Sequence, residues 1–216
     1  MATIVLTLRA GGEQIIKPFL YFRGEGEIKQ EYRDELDSFE LPYLFTATAW
    51  ADARACQEYL VYFSAQVKEL CPEFKEHLLL MDGLGGQCTS EFIELALDLN
   101  IYPMYFPGNC THLLQPVDHR VAAYLKQIMD ELYKADESVM SEIWARFREN
   151  GSLSEQSRRT TMARWVKICW ERLKEKKDFL LLAFMSTGCL ITLTGEHCIH
   201  MKDIEDYTFV FPTSES

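Results

Sequence analysis

The sequence predicts an α/β fold, a mixed sheet with helices on its faces and a helical extension towards the C-terminus. Three observations carry this. Residues 3–9 and 14–22 are two β-rich runs around Ala10-Gly11-Gly12-Glu13, a hairpin signal. The apolar run His77-Leu78-Leu79-Leu80-Met81 ends in Asp82 and glycines, and a helical pattern and a second strand follow it. From Val117 the apolar residues recur as Val121, Tyr124, Leu125, Ile128 and Leu132, the spacing of one buried helix face.

In order, the hairpin strands pair antiparallel, and Pro18, which cannot donate to a ladder, puts the second at a sheet edge. Residues 23–42 are acidic and aperiodic, a solvated loop with a short helix near 30–36. Thr48 or Asp52 starts a helix whose buried side carries Ala53, Cys56, Leu60 and Phe63, with Pro72 just beyond its end. The 77–82 run reads as a central parallel strand whose carboxyl end opens onto a site. Ser90 caps the next helix, and residues 101–106 form a strand that Pro103 assigns to the other edge of the same sheet. Strand, helix and strand imply a right-handed crossover. Pro116 suits a first helical turn, where its missing N–H has no partner to lose, and Asp118 in that turn is favoured by the helix dipole. Helices follow over 138–147 and 160–173. From Gly188 onward the chain reads as irregular or short-stranded.

The 216 residues suffice for one sizeable core with a small appendage. The N-terminus lacks the layout of a signal peptide, and the longest apolar run, 179–193, is shorter than the roughly 20 residues a bilayer requires, so a soluble intracellular protein with no membrane partner is expected. Seven cysteines without paired spacing suit reduced thiols. With 33 acidic and 22 basic residues, the formal charge is −11. Such a chain binds nucleic acid weakly by itself, because duplex affinity comes largely from cations on phosphates.

Seven positions within twelve residues, Pro107, Asn109, Thr111, His112, Gln115, Pro116 and Asp118, follow the pattern P-x-N-x-T-H-x-x-Q-P-x-D. This passage resembles that of the DDE-superfamily endonucleases, in particular the pogo, Tigger and jerky-like transposases. The resemblance continues at Leu78 to Asp82 and, more loosely, in the opening hairpin and around Trp50. It implies a ribonuclease H-like fold with sheet order 3-2-1-4-5, in which residues 1–134 are the catalytic core and 135–216 a helical extension. It implies that Asp82 and Asp118 are the second and third catalytic acids, ligands of Mg²⁺ or Mn²⁺. It also implies that Asn109, Thr111, His112 and Gln115 lie near the substrate, DNA, and that the protein works in the nucleus. A homodimer is left open. The strand bearing the family's first acid, strand 1, would precede Met1. Its loss would leave two sheet edges open, with 189–194 a candidate to fill the gap, and would leave the chain inactive alone.

The chemistry accounts for the residue types. In-line displacement at a phosphodiester is served by two divalent ions about 3.5–4 Å apart. Magnesium takes hard oxygen ligands and keeps several waters, so a few carboxylates suffice. Asp82 and Asp118 are 36 positions apart, and a strand end and a helix start packed on one sheet can bring them together.

Plainer roles exist for each residue. Asp82 can cap the turn after its strand, and Thr111, His112 and Gln115 can order their loop. His119 is expected to be exposed. Gly83-Leu84-Gly85-Gly86 lacks the ending of a phosphate-binding loop. It is also where the sequence departs from its relatives, which mostly carry Asn after this acid and a His a few positions on. Cys189, His197, Cys198 and His200 fit no common zinc-finger spacing. The basic side of 158–177 suits DNA backbone or a solvated helix face. Two alternatives remain: a domesticated or decayed domain kept as a protein-interaction module, and an unrelated nucleotide-binding domain.

Overall fold

The computed structural model describes residues 2–11, 16–26, 28–135, 155–191 and 200–201. Its strands fall into two ladders. β1 (Ala2–Val5) runs antiparallel to β2 (Phe19–Arg23), with Ala2 opposite Phe22 and Val5 opposite Phe19; this is the expected antiparallel pairing, but both strands are shorter than expected, since residues 6–9 and 16–18 are not strand, and so no tight hairpin turn joins them. β2 also pairs in parallel with β3 (Tyr43–Thr46), a strand hidden in sequence behind the acidic stretch before it. β4 (His77–Met81) and β5 (Ile101–Tyr105) form a separate parallel pair.

Two expectations are corrected. β2 is the middle strand of its sheet, because Pro18 lies just ahead of it and the first ladder donor needed there is the Leu20 N–H, 2.9 Å from the Pro42 carbonyl. The two proline-flagged strands therefore do not bound one sheet, and the described strands do not form a single 3-2-1-4-5 ladder.

Helix α1 (Gln30–Ser38) occupies the short helix expected in the acidic stretch. α2 (Ala53–Leu70) starts at Asp52, whose carboxylate accepts the Ala55 N–H at 2.8 Å. α3 (Ser90–Asp98) is capped by Thr89 rather than Ser90, since the Thr89 hydroxyl accepts the Phe92 N–H at 3.2 Å and Ser90 is already helical. A short α4 (Thr111–Leu114) precedes Pro116, and the helix then opens with a widened turn, Val117–Val121, and runs on as α5 (Ala122–Ala135). α6 (Glu155–Lys174) begins earlier than the expected 160–173 helix, and α7 is Lys177–Ser186. The helix expected over 138–147 lies outside the described residues.

The core is layered. The face of α2 carrying Cys56, Tyr59, Leu60 and Phe63 packs with Phe19 and Tyr21 of β2 and with Leu79 and Met81 of β4, so one helix underlies both sheets. The opposite face of β2, Leu20 and Phe22, is covered by Leu36 of α1 and by Ala163 and Val166 of α6. A third cluster gathers Val121, Leu173, Leu180 and Ala183, with Leu6 and Leu8 against it.

β4 departs from the buried strand its apolar run suggests. Leu79 and Met81 are buried on α2, but Leu78 is 60% exposed. On the neighbouring strand Tyr102 and Met104 are 44% and 53% exposed. Among the described residues only one face of this sheet is covered, and a parallel strand needs both covered to bury every side chain.

Candidate functional site

The site is a cavity of about 630 Å³ between the two sheets. Every residue from Thr3 to Ala10 and from Glu76 to Asp82 lines it. A strand presents only alternate side chains on a face, so unbroken runs mean that both strands turn an edge towards the cavity. One end is closed by Gln115 to Asp118, and Phe184 and Cys189 also contribute.

Asp82 and Asp118 both line this cavity. Asp82 follows the last residue of β4, where its Oδ1 accepts the Gly83 N–H at 2.8 Å and its carbonyl accepts the Leu84 N–H at 2.9 Å. That bond fulfils the plain turn-capping role and occupies one of two carboxylate oxygens. Asp118 lies in the widened first turn, its N–H donating to the Gln115 carbonyl at 3.1 Å. Both side chains are exposed.

The other motif residues divide. Gln115 lines the cavity, and its Oε1 is buried without a hydrogen-bond partner. Asn109, Thr111 and His112 are not among the residues lining it. Asn109 has φ of 61°, a left-handed conformation that asparagine tolerates better than most residues, so it turns the chain between β5 and α4. Thr111 is the first residue of α4, and His112 on it is exposed. His119, expected to be exposed, is half-buried with its Nδ1 3.3 Å from the Ser186 hydroxyl.

α7 anchors this passage, since the Cys189 thiol, just beyond it, donates to the Leu114 carbonyl at 3.3 Å. Cys189 also lines the cavity, but residues 189–191 form no strand there, and 192–194 lie outside the described residues. Of the Cys/His cluster, His197 and Cys198 lie outside them as well.

Several contributors carry no sequence signal. Gln87 ends the turn Gly85–Gln87, and its Oε1 is a second buried, unpartnered amide oxygen lining the cavity. The Tyr105 hydroxyl donates to the Gln87 carbonyl and ties this turn to β5, and burial raises that phenol above its ordinary value. Beneath the turn, burial, helped by Asp52 and Cys88, pushes the Cys56 thiol up to about 11, so at neutral pH it is a packed thiol and not a thiolate ligand or nucleophile.

Much of the basic side of 158–177 is paired within the molecule. Arg159 donates to the Arg23 carbonyl and to Glu155, and its guanidinium lies 5.3 Å from the Phe45 ring centre. Arg164 pairs with Glu35 at 3.0 Å and Arg172 with Glu131 at 3.2 Å. Lys167 and Lys174 share Glu171, and Trp170 is buried.

Comparison with known proteins gives three results. A family model described as DDE superfamily endonuclease matches residues 1–179. A curated relative from Cochliobolus lunatus, named MFS-type transporter clz9, is 26% identical over 116 residues, which are 54% of this chain and 12% of that protein. The chain thus spans about an eighth of that protein, and no helix among the described residues here is long and apolar enough to cross a membrane. No solved structure matches.

Proposed function

This chain belongs to the DDE superfamily endonucleases, and on that premise we propose that it acts on DNA by metal-dependent phosphodiester cleavage and strand transfer, with a site that these residues alone leave incomplete. One observation carries the reading: Asp82 and Asp118, 36 positions apart in sequence, line the same cavity. Residues 1–134 would form the catalytic core, 135–216 its helical extension, and the nucleus is the compartment such a substrate implies.

The donors suit Mg²⁺ or Mn²⁺ in kind. They are the two carboxylates and the unpartnered amide oxygens of Gln87 and Gln115, all hard oxygens lining one cavity. Asp82 and Asp118 would hold the cation, which when bound supplies electrostatic stabilisation of the oxygens that gain charge as a phosphodiester is displaced. The chain's own part is positioning. The Gly83 N–H fixes the Asp82 carboxyl, the turn after Pro116 presents Asp118, and the two amide oxygens can accept hydrogen bonds from water around the ion. Among the described residues no group of three His, Cys, Asp or Glu side chains converges. With two carboxylates, weak cation retention and no cleavage by this chain alone are expected.

Calorimetric titration with Mn²⁺ tests the site. Saturable binding should disappear in Asp82→Asn and in Asp118→Asn, and binding that survives both changes would end the reading. In parallel, robust Mg²⁺-dependent cutting of labelled DNA by the purified chain, abolished by Asp82→Ala, would refute the expected inactivity. A second reading, a transposase-derived domain kept as a protein-interaction module, is favoured by the net acidity and by the edges of β1 and β4, which have no ladder partner among the described residues.

A further inference from the structure

On the reading that the substrate is DNA, we infer that Trp50 is a stacking platform at the rim of the site, on which an unpaired base next to the target phosphodiester lies flat.

Its place in the fold is the first ground. Trp50 belongs to the loop between β3 and α2. A Cβ on Gly86, in the turn after Asp82, would lie 3.1 Å from the Ala51 oxygen and 3.0 Å from the Asp52 carbonyl carbon, so the turn and this loop touch one residue beyond Trp50. Ala51 and Leu84, on the two sides of that contact, line the cavity together with Asp82 and Asp118.

The backbone of the loop is fixed while the indole is left uncovered. The Trp50 N–H donates to the Thr48 hydroxyl at 3.3 Å, and its carbonyl accepts the Asp52 N–H at 3.0 Å and the Thr46 hydroxyl at 3.3 Å. Ala49 before it is fully buried with φ of 65°, a left-handed conformation that an alanine Cβ disfavours. Yet Trp50 is 64% exposed, more than any other large apolar side chain among the described residues. A strained, buried residue held in place beside an uncovered aromatic ring marks a segment shaped for contact.

The size of the ring separates the occupants. Trp50 exposes on the order of 150 Å², far below the roughly 800 Å² that each partner contributes to a specific protein interface. One base covers one indole. In a duplex both faces of an internal base are taken by neighbouring pairs, so the base that stacks here is unpaired. The charge agrees. A chain at −11, with five cations of α6 paired to its own acids, gains little from phosphates, which leaves stacking a larger share of the affinity.

The probe is a fluorescein-labelled single strand of mixed sequence, about 12 nucleotides long, titrated with the whole chain in low salt and EDTA, so that binding is read without the cation. Saturable binding is expected, with quenching of tryptophan emission. Trp50→Leu, still apolar and at an exposed position that leaves thermal stability unchanged, should weaken binding about tenfold and remove most of the quenching. Trp50→Tyr, which keeps a flat ring, should bind within about threefold of the parent chain. The salt dependence of Trp50→Leu should keep the parent slope, because no phosphate contact is lost. A strand of equal length made of abasic sugars keeps every phosphate and should bind the parent chain about tenfold more weakly. Equal affinity of Trp50→Leu, equal affinity for the abasic strand, a shallower salt slope in the variant, or no saturation would each overturn the inference. Self-association that is lost in Trp50→Leu, seen by sedimentation without DNA, would give the ring to a protein partner instead. Titration with Mn²⁺ reads the acids separately. Retained Mn²⁺ binding with a strand affinity indifferent to Trp50→Leu fails the platform alone, and base-dependent strand binding without Mn²⁺ affinity fails the cleavage reading alone.

Discussion

Gly86 shows how closely the turn after Asp82 approaches its neighbours. A Cβ there would lie 3.0 Å from the Asp52 carbonyl carbon and from the Cys56 sulfur, and 3.1 Å from the Ala51 oxygen. Two of these three atoms are backbone at the start of α2 and cannot give way as a flexible side chain would. Gly86→Ala should therefore cost about 1–3 kcal/mol, read as a lower urea midpoint at unchanged slope. Because that turn carries Gln87 and follows Asp82, a spectroscopic probe of Mn²⁺ binding should weaken with it. Gly85, with open space around it, is the control, and Gly85→Ala should leave stability within about 0.5 kcal/mol.

At the scale of elements, α2 is the joint between the two sheets. Leu60 on it is fully buried in the cluster that contains residues of both β2 and β4. Leu60→Ala should cost about 2–5 kcal/mol, through lost transfer energy and the cavity left behind. Since the two sheets share no ladder among the described residues but share this helix, they should unfold together. Urea transitions followed by far-ultraviolet circular dichroism and by tyrosine and tryptophan fluorescence should coincide, and separate midpoints would show that each sheet folds alone. α6 joins the core in the same way, with Ala163 and Val166 against β2 and Trp165 edge-on to Tyr133 of α5.

The whole molecule is acidic, and five basic side chains of α6, Arg159, Arg164, Lys167, Arg172 and Lys174, are paired with its own acids, which weakens the pull of that face on phosphate. Its response to pH lies on the alkaline side. Burial pushes the Tyr59 phenol from 10.0 up to about 12, and the Cys56 and Cys169 thiols from 9.0 up to about 11, while Tyr21 and Tyr62 are raised further by burial. The folded state holds these groups neutral, so their contribution is complete below the ordinary values and is lost as pH rises through the shifted ones. Urea midpoints should be flat near neutrality and fall between pH about 9 and 12, and a midpoint unchanged up to pH 11 would mean that these side chains are solvated.

Local pattern made most elements legible, because strand alternation, helical spacing and caps are properties of neighbours in sequence. The antiparallel pairing of β1 with β2, α2, the β4–α3–β5 unit and the helix after Pro116 were all readable in that way, and the P-x-N-x-T-H-x-x-Q-P-x-D passage with Asp82 pointed to the family. β3 was not, since a four-residue strand beside an acidic stretch has no period of its own to display. Pro18 misled because proline excludes a residue from a ladder but cannot say whether the ladder begins one residue later. Sequence alone determined most of the segments that are strands or helices and which two acids to examine. Only the tertiary structure decided that the strands divide into two sheets, that β4 leaves Leu78 in water, and that Gln87 joins Asp82 and Asp118 at one cavity, because pairing partners and the enclosure of a side chain depend on groups distant along the chain.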